Sequence, residues 1–183
     1  MTLEKILKAG ILLIALFIGV YMVYSRMGNE KAINEAGRLE RLPRFKFPKI
    51  AEAGFVSRAD LRSGKTVVVY FSPDCEHCQA LGADIGMNLT MLRDIDFVFV
   101  TRMEEADAIR YAKKCNIWGE KHFYFGLDMD AAFYGYFGEM FIPSAYVFDE
   151  KGKLLQILHQ NAMVRDILDV YAGKPSDKNK GTR

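Results

Sequence analysis

The sequence predicts an α/β protein, a mixed central sheet flanked by helices on both faces, with a transmembrane helix at its N-terminus. Three observations lead there. The unbroken β-branched and aromatic run "TVVVYF" at 66–71 reads as a strand buried on both faces, and "DFVFVT" at 96–101 as a second buried strand. The segment "AYVF", the turn "DEKG" and "KLLQIL" read as a closing antiparallel hairpin, with Gly152 supplying a positive φ. Residues 9–24, "AGILLIALFIGVYMVY", contain no charge at all.

The N-terminal run comes first. Lys5 and Lys8 precede it and Arg26 follows. Sixteen helical residues span roughly 24 Å, slightly short of a hydrocarbon core of about 30 Å. Including Ile6 and Leu7, with Lys8 snorkelling, makes residues 6–24 long enough. Being apolar all round argues against a soluble amphipathic helix. No small-x-small site follows, so residues 1–24 are expected to be an uncleaved signal anchor. A cleaved signal peptide is the alternative, with Val23-Tyr24-Ser25 as its cleavage context. The flanking lysines favour a cytoplasmic N-terminus and an exported globular domain, single-pass in the cell membrane. Residues 25–43 read as a polar spacer, and "KPSDKNKGTR" at 174–183 as a disordered basic tail.

The globular domain is expected over 44–173, where 15 Lys/Arg face 18 Asp/Glu. The whole chain's net charge of +2 is too small to argue for nucleic acid, and no arginine-rich stripe supports it. Residues 44–49, "RFKFPK", alternate and stop at Pro48 like an edge strand, and 56–62 form a short strand or turn. After 66–71, Leu81, Ile85, Leu89 and Leu92 predict a helix over 79–92. Strand 96–101 follows, then a helix over 104–115 with Ala108, Ala112 and Cys115 on one side. A strand at 123–127, a short helix at 130–137, the hairpin, and an amphipathic helix at 162–171 complete the chain.

Three cysteines exclude a disulfide framework. Cys75 and Cys78 stand where the first buried strand turns, through Ser72-Pro73-Asp74, into a helix. A sulfur there meets unpaired N–H groups at the positive end of the helix dipole, which favours thiolate over thiol. Cys75 is therefore the candidate nucleophile. Cys78, nearly a turn later and expected to be more buried, is the candidate resolving thiol. His77 adds positive charge when protonated, while Asp74 and Glu76 oppose the thiolate, and Asp74 is also a candidate helix cap. A zinc site needs four ligands, commonly two close pairs, and Cys115, His122 and His159 supply no second pair. No metal and no cofactor beyond a Cys75–Cys78 redox disulfide are expected. A purely structural disulfide closing so short a loop gains little.

On these residues the chain resembles the thioredoxin superfamily, specifically its membrane-anchored TlpA/ResA type. The likeness runs over 45–171 and rests on "GKTVVVYFSPDCEHC", "GLDMDAAFYGYFGEMFIPSAYVFDEKGKLL" and the anchor. It implies a thioredoxin-like fold and a thiol:disulfide oxidoreductase. Pro143, about 65 residues after Cys78, matches the family's cis-proline beside the dithiol. Ile142 would then offer backbone groups to an extended substrate. The chain departs from the family at three places. Asp74 stands where many thioredoxins have tryptophan, and Val69 and Leu81 stand where buried acids occur. Proton transfer at Cys78 must then use water, Glu76 or another group. A peroxiredoxin Pro-x-x-x-Thr-x-x-Cys motif is absent, because Val68 and Phe71 stand seven residues before Cys75 and Cys78, where its proline would be needed. Cys115 reads as a buried small hydrophobe, and His122 and His159 as surface or strand-end residues. The implied partners are protein thiols and disulfides of exported substrates, plus a membrane or periplasmic redox partner, with a lean towards reduction. The alternative is a binding module whose dithiol holds copper or zinc, or serves assembly.

Overall fold

A computed structural model describes residues 14–20 and 38–174 of the chain. Residues 14–20 are helical and exposed. The rest of the expected anchor, residues 25–37 of the spacer and residues 175–183 lie outside the described residues. Among the described residues, no helix is long and apolar enough to cross a membrane.

Five strands form the central sheet: β3 (Lys65–Tyr70), β4 (Ile95–Thr101), β5 (Phe123–Leu127), β6 (Ser144–Phe148) and β7 (Leu154–His159), in the order β5-β4-β3-β6-β7. β3, β4 and β5 are parallel, and β6 runs antiparallel to both β3 and β7. Alternation along β3 feeds two cores. Val67 and Val69 join Phe97, Phe99, Ala145 and Val147 on one face. Val68 and Tyr70 join Val98, Val100, Tyr146 and Phe148 on the other. The unbroken apolar runs are thus explained by burial on both sides.

The first face is covered by α1 (Glu76–Met87), α2 (Glu105–Lys114) and α4 (Val164–Tyr171), through Leu81, Ile85, Ala108, Tyr111 and Ile167. α3 (Ala132–Phe137) lies on the second face, through Phe133 and Phe137. Beside it packs a separate antiparallel pair, β1 (Lys46–Pro48) and β2 (Phe55–Ser57), through Phe47 and Val56. The segment 44–49 is an edge strand of this small pair, and it is joined to the main sheet by the Lys49 bridge to Gly126 of β5. It pairs with β2, and its phenylalanines pack on α3, Phe47 on Phe133 at 6.1 Å and Phe45 on Phe137 at 6.2 Å.

Among the helix boundaries that differ from the sequence expectation, three have a local polar reason. α1 stops at Met87 because the Asn88 amide turns back to the Asp84 carbonyl (2.7 Å) and carboxylate (3.0 Å), competing with the helical ladder. Leu89–Met91 continue only as a 3-10 turn. α3 starts late because Ala131 is left-handed (φ 53), and the buried Asp128 accepts the Phe133 N–H at 3.0 Å. α4 starts at Val164, whose N–H is taken by Asp84 across the fold at 2.7 Å. Ordered packing also begins ahead of Arg44. Leu42 is buried and donates its N–H to Gly152 (2.7 Å), and the Leu154 N–H reaches the Glu40 carbonyl (2.8 Å). These contacts occupy backbone groups along the entry to the outer strand β7.

Candidate active site

The site is built where β3 ends. The Phe71 N–H still bonds the Val100 carbonyl at 3.0 Å, and Cys75 closes the next turn by donating to the Ser72 carbonyl at 3.1 Å. Cys75 is the N-cap of α1, with extended backbone (φ −82, ψ 122). Its Sγ accepts the Cys78 N–H at 3.4 Å, so the sulfur itself fills the capping role that oxygen acids usually take. Asp74, expected as a candidate cap, is not one; it stands exposed in the turn. The sulfur thus receives a donor at the helix terminus, where the dipole also favours negative charge.

Cys78, three residues on, is fully buried, whereas Cys75 is half-buried. Cys78 Sγ accepts the Ser72 N–H at 3.5 Å. Burial is the main force pushing the Cys78 thiol far up from its ordinary range, with the bond to Cys75 adding to it. Both sulfurs are free thiols. An accessible sulfur held by backbone N–H, backed by a buried one a turn away, is the geometry that disulfide exchange requires.

The Ile142–Pro143 peptide bond is cis. Its place follows from register: Tyr70 pairs with Ser144, so the residues before β6 lie beside those after β3. Pro143 is buried and its carbonyl accepts the Gln160 N–H at 3.1 Å. Ile142 is 43% exposed and Phe141 62%, leaving an apolar rim at the dithiol end of the sheet. Behind the rim, His159 Nε2 lies 3.4 Å from Glu139 Oε1, and the His159 ring meets Phe141 edge-on.

Asp74, Glu76 and His77 are all exposed, so water and ions screen their charges at the sulfurs. Val69 and Leu81, which replace acids of the resembled family, are fully buried and apolar. His122 sits at the opposite end of the sheet, where its Nδ1 contacts Asp96 at 2.9 Å. Among the described residues, no group of three or more His, Cys, Asp or Glu could hold a metal ion. Cys115 is buried, as a small hydrophobe would be, and burial raises its thiol pKa.

Two features of the site escaped the sequence reading. Tyr111 donates its hydroxyl to the Cys78 carbonyl at 2.8 Å. Gly82 leaves the space for that hydroxyl, since a Cβ there would collide with it and lie 2.7 Å from Cys115 Sγ. The signal was present: Tyr111 falls three residues after Ala108 on the helix face assigned to the core, and Gly82 four after Cys78.

The architecture is a thioredoxin-like fold: a mixed central sheet with flanking helices, and a dithiol where a central parallel strand meets a helix. No protein-family model and no curated protein matches the sequence. Among solved structures, the chain is similar to a secreted disulfide oxidoreductase of Mycobacterium tuberculosis that is homologous to E. coli DsbE. That match has 17% identity and a TM-score of 0.59, covering 70% of this chain and 96% of that one. It is also similar to a thiol:disulfide interchange protein of the thioredoxin family from Chlorobium tepidum TLS (16% identity, 73% and 94% covered, TM-score 0.61). A thioredoxin-like protein from Aeropyrum pernix matches at 10% identity, with 71% and 89% covered and a TM-score of 0.60. At these identities the likeness is one of fold.

Proposed function

We propose that the chain is a membrane-tethered thiol:disulfide oxidoreductase that exchanges disulfides with exported proteins, working mainly as a reductase. The observation that carries this reading is the Cys75 sulfur at the N-cap of α1, with the buried Cys78 three residues behind it. Cys75 attacks a substrate disulfide and forms a mixed disulfide; Cys78 displaces the substrate and closes Cys75–Cys78. A separate redox partner then restores the dithiol. Ile142, beside the cis-proline, offers backbone groups and an apolar side chain to an extended substrate segment.

The lean towards reduction follows from charge. Among the described residues the buried charged side chains are the carboxylates Asp96 and Asp128, which cannot stabilise a thiolate at Cys78, and the charge His77 adds when protonated stands in water. A less stabilised thiolate makes the dithiol a better donor of electrons. The membrane tether is read from the uncharged run at 9–24, and the exported side of the domain from Lys5 and Lys8 ahead of that run. Insulin reduction and disulfide formation by the purified domain test the reading. Cys75→Ala should abolish both, and activity unchanged by that substitution would sink the enzyme reading.

A further inference from the structure

α2 presents one buried polar group to the dithiol turn. The Tyr111 side chain is almost wholly buried, and its ring packs against Phe71 at 4.6 Å, under the last residue before the turn. Its hydroxyl donates to the Cys78 carbonyl. Burial, followed by the charges that Cys115 and Cys78 would carry, holds the phenol far above its ordinary range, so it remains a donor throughout. Phenylalanine fills the neighbouring core positions Phe71, Phe97 and Phe99, so packing alone does not call for a hydroxyl here. Burying one is costly unless it is bonded. This one is aimed at a carbonyl in the first turn of α1, above a glycine that makes room for it.

Cys78 needs help of this kind. Its thiol is buried and pushed up, the flanking positions Val69 and Leu81 hold no carboxylate, and the Ser72 N–H approaches its sulfur only at 3.5 Å. We propose that Tyr111 is the positioning residue for Cys78: its hydroxyl fixes the Cys78 backbone and offsets the negative end of that carbonyl beside the sulfur. Cys78 then ionises more readily and resolves the mixed disulfide. In that step Cys78 releases its proton to water and its thiolate attacks Cys75 Sγ. The Cys75–Cys78 bond forms as the bond from Cys75 to the substrate sulfur breaks. The substrate thiolate leaves with the electron pair and takes a proton from water. Two protein thiols are oxidised as one substrate disulfide is reduced.

The inference rests on the exchange reaction proposed above and assigns a residue to its second half. The test is stopped-flow reaction of the reduced protein with an aromatic disulfide that releases a coloured thiol twice, first on attack by Cys75 and again on resolution by Cys78. Tyr111→Phe should slow the second phase about fivefold, the worth of one hydrogen bond of about 1 kcal/mol. It should also move that phase to higher pH and leave the first phase unchanged. A folded Tyr111→Phe protein with an unaltered second phase, or with both phases slowed alike, overturns the proposal. Should that variant not fold, a fluorinated tyrosine at position 111, close in shape and a stronger donor, should speed the second phase; no change there overturns it equally. A wild type that releases no second thiol sinks the exchange reaction itself, and the role of Tyr111 with it.

Discussion

At the C-terminal end of β3 the chain leaves a sulfur partly exposed and held by a single long N–H contact, at the end of the sheet where Phe141 and Ile142 are also exposed. At the other end of the same sheet it buries a carboxylate. Asp96, fully enclosed at the start of β4, accepts the N–H groups of Arg62 (2.6 Å) and Ser63 (2.7 Å) on one oxygen and contacts His122 Nδ1 on the other. Both ends carry ionisable groups among apolar strands. They differ in satisfaction: the carboxylate is surrounded by short bonds, whereas the dithiol keeps its bonding capacity for a reaction partner. Ionisable residues with saturated partners hold a fold together, and those left short of partners do its chemistry.

The sharpest way to break this comparison is at the satisfied end. Asp96→Ala removes the buried carboxylate that the Arg62 and Ser63 N–H groups share, two hydrogen bonds to a charged acceptor, and should destabilise the domain by about 3 kcal/mol. The rate of Cys75 alkylation in the folded protein should stay unchanged, because the two ends share no contact. Chemical denaturation and alkylation kinetics on the same sample check both halves. A variant that loses Cys75 reactivity at full stability would show that the two ends are coupled after all.

A smaller effect sharpens the dithiol end. In the reduced protein, folding raises the Cys78 thiol pKa above its ordinary 9.0. Below that value the folded and unfolded chains both hold the proton. Above it the unfolded chain loses the proton first, so stability falls as pH rises. The oxidised protein has no Cys78 thiol to titrate, whereas the raised phenols of Tyr111 and Tyr146 are present in both forms. The melting temperature of the reduced form should therefore fall faster above pH 9 than that of the oxidised form. Parallel curves would mean that Cys78 is not held as a buried thiol.

Much of this was legible in the chain. The two unbroken strands, the closing hairpin around Gly152 and the dithiol at a strand-to-helix turn are local patterns, and each lies where expected. What was not legible depends on partners distant in sequence. Asp84 ends one helix through Asn88 and starts another at Val164, 80 residues away. Tyr111 reads as one more core residue until its bond to Cys78, 33 residues earlier, is seen. Asp96 looks like the polar lead-in to a strand and is a fully buried carboxylate with three partners. Side-chain type alone left Asp74 a candidate cap beside Cys75, and the extended backbone at Cys75 is what selects the sulfur.

The most direct test of the account is trapping in the native envelope with Cys78→Ser, which removes resolution and leaves Cys75 free to attack. The account predicts mixed disulfides between Cys75 and exported proteins that dissolve on adding reductant and vanish in the Cys75→Ala, Cys78→Ser double variant. Absence of any reductant-sensitive adduct, while Cys75 in the same cells still reacts with an alkylating probe, would contradict it.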